Sequence, residues 1–261
     1  MNDEFYIGWQ AKAPPGFGSW MRRLVVMLFV LAGGFGLLLA AAQGTIGVSV
    51  FEWGKVKTFS GLLKSQPYPH LLVPRPGQSD GPNSFSAYYL VAPFKFGLKP
   101  ETVAGLDGKS VTLQGTLIYR GNQTMIEVKE ASLRASDTGA PQKSEARNEA
   151  VPGSVSLGRQ TLIGEIVDSK CYLGVMNPGR LTPHRACAIR CISGGIPPVL
   201  LVRQPNGAAL YFLLVSAEGR PVNKQVLNLV AEPVEITGEI VRQGELLILR
   251  SDPSTFRRVA G

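Results

Sequence analysis

The fold is decided by two segments that repeat one pattern, residues 111–121 (VTLQGTLIYRG) and residues 234–244 (VEITGEIVRQG). Both read V-x-[LI]-x-G-x-[LI]-x-x-x-G, with apolar residues at alternate positions around a central glycine. Alternation with a period of two indicates a strand with one buried face, and the second glycine indicates a tight turn into another apolar run. Each segment therefore predicts a β-hairpin, whose glycines supply a positive φ or a bulge.

The agreement between the two regions extends upstream of the hairpins. Residues 88–91 (YYLV) match residues 211–214 (YFLL) at the same offset from the repeated pattern. A glycine-bearing apolar strand begins each unit, at residues 58–65 (TFSGLLKS) and 162–169 (LIGEIVDS). We therefore expect two copies of one unit, each with a strand, an insertion, one or two further strands, a short helix and a hairpin.

The short helix of each copy has its own start signal. Pro100 opens one, and Asn223 is the predicted N-cap of the other. This element order resembles the OB-fold, a five-stranded Greek-key barrel with a helix before its fourth strand, over residues 55–135 and 160–259. The resemblance implies a mainly β protein with two small OB-like barrels. The polar residues 136–159, which carry charges of both signs, predict a linker between them.

A membrane segment precedes both copies. No charged residue lies between Leu24 and Phe51, and residues 24–42 have the length that a helix needs to cross a bilayer core. Arg22 and Arg23 come before this segment, and the next basic residue is Lys55. The positive-inside rule then predicts a cytoplasmic tail (1–23), a transmembrane helix (24–44) and a remainder outside the cytoplasm. The alternative is a signal peptide cleaved at the A-x-A site, residues 40–42.

Small residues recur every four positions along the predicted membrane helix, at Ala32, Gly36, Ala40 and Gly44. Such a stripe lets a second helix approach closely, so we expect an integral membrane protein as a partner on this face. The alternative is that glycine and alanine are simply common in membrane helices.

Composition limits the classes of function. The 261 residues are 44% hydrophobic, which excludes a wholly disordered chain and allows one large domain or two small ones. The net charge of +8 fits an anionic membrane surface, a nucleic acid or an ordinary basic surface. We expect no nucleic-acid partner, because the basic residues do not cluster with aromatic ones and the barrels are expected to face outward.

All three cysteines lie in an insertion of the second unit, residues 171–198. His184, Cys187 and Cys191 are spaced i, i+3 and i+7, which places them on one face of a helix. Pro183 suits the start of that helix, and the glycines at 194–195 suit its end. Cys171 ends the preceding strand and is expected to come over the same face.

These four residues are the predicted metal ligands. A Cys3His set is typical of tetrahedral zinc, so Cys171, His184, Cys187 and Cys191 predict a zinc site. Copper(I) is an alternative that accepts two or three thiolates, with Met176 as a nearby thioether. A disulfide from Cys171 to either Cys187 or Cys191 is the competing interpretation, because an oxidising exterior favours disulfides.

The same region resembles a pattern that recurs in uncharacterised secreted bacterial domains, G-x-[IV]-V-D-x-x-C-Y…H-x-x-C-A-x-x-C…G-x-P. Here its positions are Gly164, Val167, Asp168, Cys171, Tyr172, His184, Cys187, Ala188, Cys191, Gly195 and Pro197. The resemblance implies a bacterial periplasmic context, with the helix in the inner membrane and the bulk of the chain in the periplasm, and it brings no known reaction. Asp168 is either an acceptor for His184 or a turn residue at the strand end, and we favour the turn residue. His70 is expected to be a loop residue.

The sequence contains no Ser/His/Asp set, phosphate-binding loop or pair of carboxylates that indicates catalysis. The first hypothesis is therefore a non-catalytic, membrane-anchored accessory subunit that docks on a membrane oxidoreductase complex and carries a structural metal or a disulfide. The alternative is a copper- or iron-binding protein for redox chemistry or metal transfer.

Overall fold

A computed structural model describes residues 14–44, 49–75, 85–136, 154–204 and 208–259. The chain divides into two compact units, residues 1–47 and 48–261. The first unit contains helix α1 (Pro15–Gly44), which is apolar and carries exposed side chains such as Phe29 and Leu37. Within the described residues, α1 is long and apolar enough to cross a membrane, judged by length and composition. The predicted helix is confirmed, and it begins inside the predicted cytoplasmic tail, whose first thirteen residues lie outside the described part.

The second unit is mainly β, as the repeated pattern predicts. Its two halves each contain five barrel strands and one short strand after them, and they differ in their remaining elements. The first half contains β1 (Ser49–Phe51), β2 (Lys57–Lys64), β3 (His70–Pro74), β4 (Phe85–Val91), α2 (Pro100–Val103), β5 (Ser110–Arg120), β6 (Gln123–Val128) and β7 (Arg134–Ala135). The second half contains β8 (Val155–Asp168), α3 (Arg185–Ser193), β9 (Pro198–Arg203), β10 (Ala209–Val215), β11 (Pro233–Gln243), β12 (Leu246–Arg250) and β13 (Arg257–Arg258).

Each half closes into a five-stranded barrel. In the first barrel the strands run in the order β5-β2-β3-β4-β6, and β6 pairs back with β5. In the second barrel the order is β11-β8-β9-β10-β12, and β12 pairs back with β11. The pairs β4–β6 and β10–β12 are parallel, whereas the other barrel pairs are antiparallel. The prediction of two small barrels is confirmed.

The two repeated segments form the closing hairpins. Arg120 pairs with Gln123 across a turn at Gly121, and Gln243 pairs with Leu246 across a turn at Gly244. Both turn glycines have a positive φ, which a residue with a side chain rarely adopts. The central glycines of the pattern have another role. A Cβ at Gly115 or at Gly238 would overlap a carbonyl oxygen of the neighbouring strand, so glycine permits the tight curvature of each barrel.

The short helix before each hairpin differs between the barrels. Pro100 opens α2 as predicted, and Val103 is buried. The predicted helix cap at Asn223 is wrong. The second barrel has only a 3-10 turn at Leu227–Leu229, and the Asn223 side chain donates instead to the carbonyl oxygens of Ile192 and Ile196, at 2.9 and 2.8 Å. It therefore satisfies backbone acceptors at the end of α3.

One hydrophobic cluster is shared by the two barrels. Each barrel has its own core, built around Leu113 in the first and Ile236 in the second. A third cluster combines residues of both, including Tyr89 and Met125 from the first barrel with Val167 and Cys171 from the second. The barrels therefore pack face to face through buried apolar side chains, and the cysteines lie at this junction.

Candidate metal centre

The three cysteines lie in the long insertion between β8 and β9. After β8 ends at Asp168, the chain forms a π-helical turn (Cys171–Val175), a 3-10 turn (Thr182–His184) and then α3. Cys187 and Cys191 lie one turn apart on α3, and Gly194 is its C-cap. The predicted helix, with its start after Pro183 and its end at the glycine pair, is confirmed.

The three sulfur atoms form one cluster. The Sγ of Cys171 is 4.0 Å from the Sγ of Cys187 and 4.0 Å from the Sγ of Cys191, and all three lie within 4.8 Å of one another. All three cysteines are free thiols. Cys171 and Cys191 are buried, whereas Cys187 is partly exposed. The insertion thus gathers every thiol of the chain at one point.

His184 belongs to a second group that shares Cys171. A ring nitrogen of His184 lies within 4.8 Å of a carboxylate oxygen of Asp168 and of the Cys171 sulfur. Its Nε2 is 2.9 Å from Oδ2 of Asp168, and both side chains are buried. The structure therefore groups His184 with Asp168 and Cys171, and not with Cys187 and Cys191. The full four-residue ligand set stays a prediction.

Asp168 is more than the strand-end turn residue that the sequence favours. Its side chain is fully buried. One carboxylate oxygen accepts the backbone N–H of Cys171 at 2.8 Å, while the other contacts His184. The alternative interpretation, an acceptor that orients the imidazole, is the one that the geometry supports.

Lys95, in the loop after β4 of the first barrel, reaches the sulfur cluster. Its Nζ is 2.8 Å from the Sγ of Cys187. This contact raises the pKa of Lys95, and the charges of Cys191 and Cys171 add to the effect. The ammonium therefore favours thiolates at this point, because an adjacent cation stabilises the charged form of sulfur. No sequence pattern links Lys95 to the cysteines, because the two elements belong to different repeats.

The sulfurs also influence one another. The hydrogen bond between Cys171 and Cys191 lowers the pKa of Cys191 and raises the pKa of Cys171, to which burial also contributes. Ionisation of Cys191 therefore makes ionisation of Cys171 less favourable. A bound metal cation removes this penalty, because it replaces the protons on all the sulfurs.

A second lysine holds the Lys95 loop in place. Lys170 is almost fully buried, and its Nζ donates to the carbonyl oxygens of Ala92 at 2.8 Å and Phe94 at 2.7 Å. The same nitrogen pairs with Glu127 of β6 at 2.5 Å. The residue before Cys171 therefore binds the first barrel by charge and by hydrogen bonds, and it fixes the loop that carries Lys95.

Glycines allow the loop and α3 to meet. The Gly97 N–H donates to the Gly194 carbonyl at 3.0 Å. A Cβ at Gly194 would overlap the carbonyl oxygen of Lys95, and a Cβ at Gly97 would overlap that of Gly195. This backbone-to-backbone contact places the loop directly against the helix that carries Cys187 and Cys191.

Two other sequence expectations concern residues near the site. Met176, the suggested thioether, is 45% exposed, whereas two of the three cysteines are buried. The expectation that His70 is a loop residue is wrong, because His70 is the first residue of β3. Its ring is buried, and its Nδ1 contacts the Tyr68 carbonyl oxygen at 2.8 Å. It lies outside both groups of potential ligands.

The sulfur cluster has the dimensions of a single metal site. For metal–sulfur bonds of about 2.3 Å, the sulfurs lie about 3.8 Å apart in a tetrahedral site and about 4.0 Å apart in a trigonal one. The observed separations of 4.0 Å fit either arrangement. They exceed the length of about 2.05 Å of a disulfide bond, so these three cysteines are not joined by disulfides and could hold a metal ion.

Comparisons with known proteins give no relative. No protein-family model matches the chain, and no curated protein matches it either. The function is therefore inferred from the residues and contacts of this chain alone. A cysteine cluster able to bind a metal and one apolar N-terminal helix fit a membrane-anchored protein with a metal site.

Proposed function

We propose that this chain is a membrane-anchored accessory subunit of a bacterial inner-membrane complex, with a metal centre in its second barrel. The observation that carries the proposal is the cluster of three free thiols, two of them buried, at the junction of the barrels. Buried cysteines that only fill space in a core do not need a lysine beside them or contact with two further sulfur atoms.

In this proposal α1 is an uncleaved anchor, with the N-terminus in the cytoplasm and the barrels in the periplasm. Arg22 and Arg23 near the start of the apolar run support that orientation. The partner is an integral membrane protein of an oxidoreductase complex that packs on the face formed by Ala32, Gly36 and Ala40, whose positions on α1 are exposed. The domain boundaries expected from the sequence, 55–135 and 160–259, belong to the same proposal. The barrels would be of the OB type, which the parallel pairs β4–β6 and β10–β12 support.

The metal would be held by Cys171, Cys187 and Cys191. Zinc is the default for thiolate sites, and it would take His184 as its fourth ligand. The protein's contribution would be to place the Lys95 ammonium beside the Cys187 sulfur and to exclude water by burial at the junction. A second candidate function, metal transfer to the membrane partner, is favoured by one observation: Cys187 is partly exposed and its ammonium partner lies on a loop.

The test is purification of the full chain in mild detergent from its native membrane, followed by metal analysis and identification of co-purifying membrane proteins. The proposal predicts about one thiophilic metal per chain and a stoichiometric membrane partner. A Gly36→Leu variant, which fills the small-residue face, should lose the partner and keep the metal. The matched control is Leu37→Ile, on another face of α1, which should keep both.

A metal-free, monodisperse monomer without a co-purifying membrane protein would refute the proposal. Identification of a mature N-terminus after residue 42 would refute the anchor, because a cleaved chain would leave no helix in the membrane.

A further inference from the structure

The ligand chemistry at the sulfur cluster is more specific than a general metal site. We infer that Cys171, Cys187 and Cys191 form a three-coordinate site for the soft monovalent cation Cu(I), closed by the ammonium of Lys95 from the first barrel. This inference rests on the metal centre proposed above and names the cation and a residue outside the sulfur set that tunes the affinity.

Among the described residues, no histidine, aspartate or glutamate groups with all three sulfurs as a fourth ligand. Within this part of the chain, the metal-binding groups are the three cysteines and the separate set of Asp168, Cys171 and His184. Zinc prefers four ligands, whereas Cu(I) accepts a purely sulfur environment with two or three thiolates. The cluster therefore matches the coordination number of Cu(I) without any rearrangement.

The second argument is the cost of recruiting His184. Its Nε2 is 2.9 Å from Oδ2 of Asp168, whose side chain is fully buried. His184 is not grouped with Cys187 and Cys191, and moving the ring toward them would strain or break its hydrogen bond to a buried carboxylate, which is unfavourable. The pair is thus better described as a fixed support beside the site, and it also holds the Cys171 backbone through Oδ1.

The charge of the complex also favours Cu(I). Three thiolates around a monovalent cation keep more negative charge than the same thiolates around a divalent one. Lys95 supplies a positive charge 2.8 Å from the Cys187 sulfur, and its loop is fixed by Lys170 and by the contact between Gly97 and Gly194. An ammonium held in this way stabilises the more anionic complex most, so it favours Cu(I) over Zn(II).

The experiment compares metal affinities of the full chain in detergent, reduced and under anaerobic conditions. Cu(I) is titrated in competition with bicinchoninate, and Zn(II) in competition with a chromophoric zinc chelator. We expect one Cu(I) per chain, which zinc does not displace. Lys95→Met should weaken Cu(I) binding about tenfold to a hundredfold, as the loss of an outer partner of a metal ligand does. Lys95→Arg should restore most of the affinity.

One control variant, at Lys99, and one variant that tests the ligand set, at His184, complete the design. Lys99→Met removes an exposed lysine of the same loop region and should leave the Cu(I) affinity unchanged. His184→Gln should leave the Cu(I) affinity within a few-fold, because the imidazole is not a ligand of copper in this account. Far-ultraviolet circular dichroism before and after loading checks that each variant is folded.

Three results would overturn the inference: zinc bound in preference to Cu(I), equal Cu(I) affinities for Lys95→Met and Lys99→Met, or a large loss of Cu(I) affinity in His184→Gln. The first and third would leave the proposed metal centre intact with a different cation or ligand set. Binding of neither metal by the unmodified chain would instead refute the metal centre itself.

Discussion

The two barrels share one strand order, and the largest difference between them is one connection. The first barrel joins β2 to β3 through residues 65–69, whereas the second joins β8 to β9 through residues 169–197. That longer connection contains the π-helical turn, α3 and all three cysteines. The repeated barrel therefore supplies a scaffold, and the chemistry comes from an insertion at one position of one copy.

The comparison also shows that the first barrel is part of the site. Its loop after β4 provides Lys95, and its carbonyl oxygens at Ala92 and Phe94 bind Lys170 of the insertion. The copy without cysteines thus contributes a cation that contacts the sulfur cluster of the other copy. The candidate metal site is therefore built by residues of both barrels.

The largest loss of stability is expected from removing one partner of the buried ion pair between Lys170 and Glu127 at the junction. Lys170→Met leaves Glu127, which is only 15% exposed on its side chain, without its partner and removes the donor to two carbonyl oxygens. Loss of one member of a buried ion pair costs about 3–5 kcal/mol. Chemical denaturation of the full chain in detergent should show this loss of stability.

The control for that prediction is the exposed pair of the first barrel. Lys57→Met breaks the contact with Glu52, and because the Lys57 side chain is 48% exposed the cost should be below about 1 kcal/mol. Equal effects of the two variants would mean that Lys170 does not hold the barrels together. The double variant Lys170→Met/Glu127→Leu should recover part of the lost stability, because no uncompensated charge then remains.

A smaller effect is expected at the backbone contact between α3 and the Lys95 loop. Gly194→Ala introduces a Cβ onto the carbonyl oxygen of Lys95, so the loop must shift away from the sulfurs. Overpacking of this kind costs about 1–3 kcal/mol, and the metal affinity should fall as well. Thermal unfolding and metal titration measure the two consequences. Ser193→Ala, at the adjacent exposed position, should change stability by less than about 0.5 kcal/mol, and a similar loss there would contradict the account.

The smallest effect is expected for the pH dependence of stability, which depends on the buried His70 of the first barrel. Burial lowers the pKa of His70, so the unfolded chain binds a proton at His70 more readily than the folded chain. His70 therefore costs stability as the pH falls below its unfolded value of about 6.5, by up to about 1.4 kcal/mol per pH unit. Unfolding at pH 7.5 and pH 5.5 should show a steeper decline for the natural chain than for His70→Gln. Parallel declines would mean that His70 is protonated in the folded state.

Local patterns predicted the barrels and the helix of the cysteines. The repeated hairpin motif, with glycine at the turn and apolar residues at alternate positions, contains the information needed for β5–β6 and β11–β12. The spacing of Cys187 and Cys191 likewise predicts their position one turn apart on α3. These features depend on residues close together in the sequence, where periodicity and turn chemistry are informative.

The roles that were missed all depend on contacts between distant segments. Lys95 and Lys170 resemble surface lysines in the sequence, and only the packing of one barrel on the other reveals that one contacts sulfur and the other is buried. Asn223 has the residue type of a helix cap, yet its amide binds the end of α3. For Asp168 the sequence offered both a turn residue and an acceptor for His184, and the insertion brings His184 to it, which favours the acceptor.

The central claim is that the three thiols hold a metal. Thiol titration of the folded, full-length chain with and without a strong chelator tests it most directly. The account predicts that no thiol reacts before the chelator is added and that all three of the chain's thiols react afterwards, with release of about one equivalent of metal. One reactive thiol in both conditions, with the other two recovered only by a reductant, would show a disulfide and contradict the account.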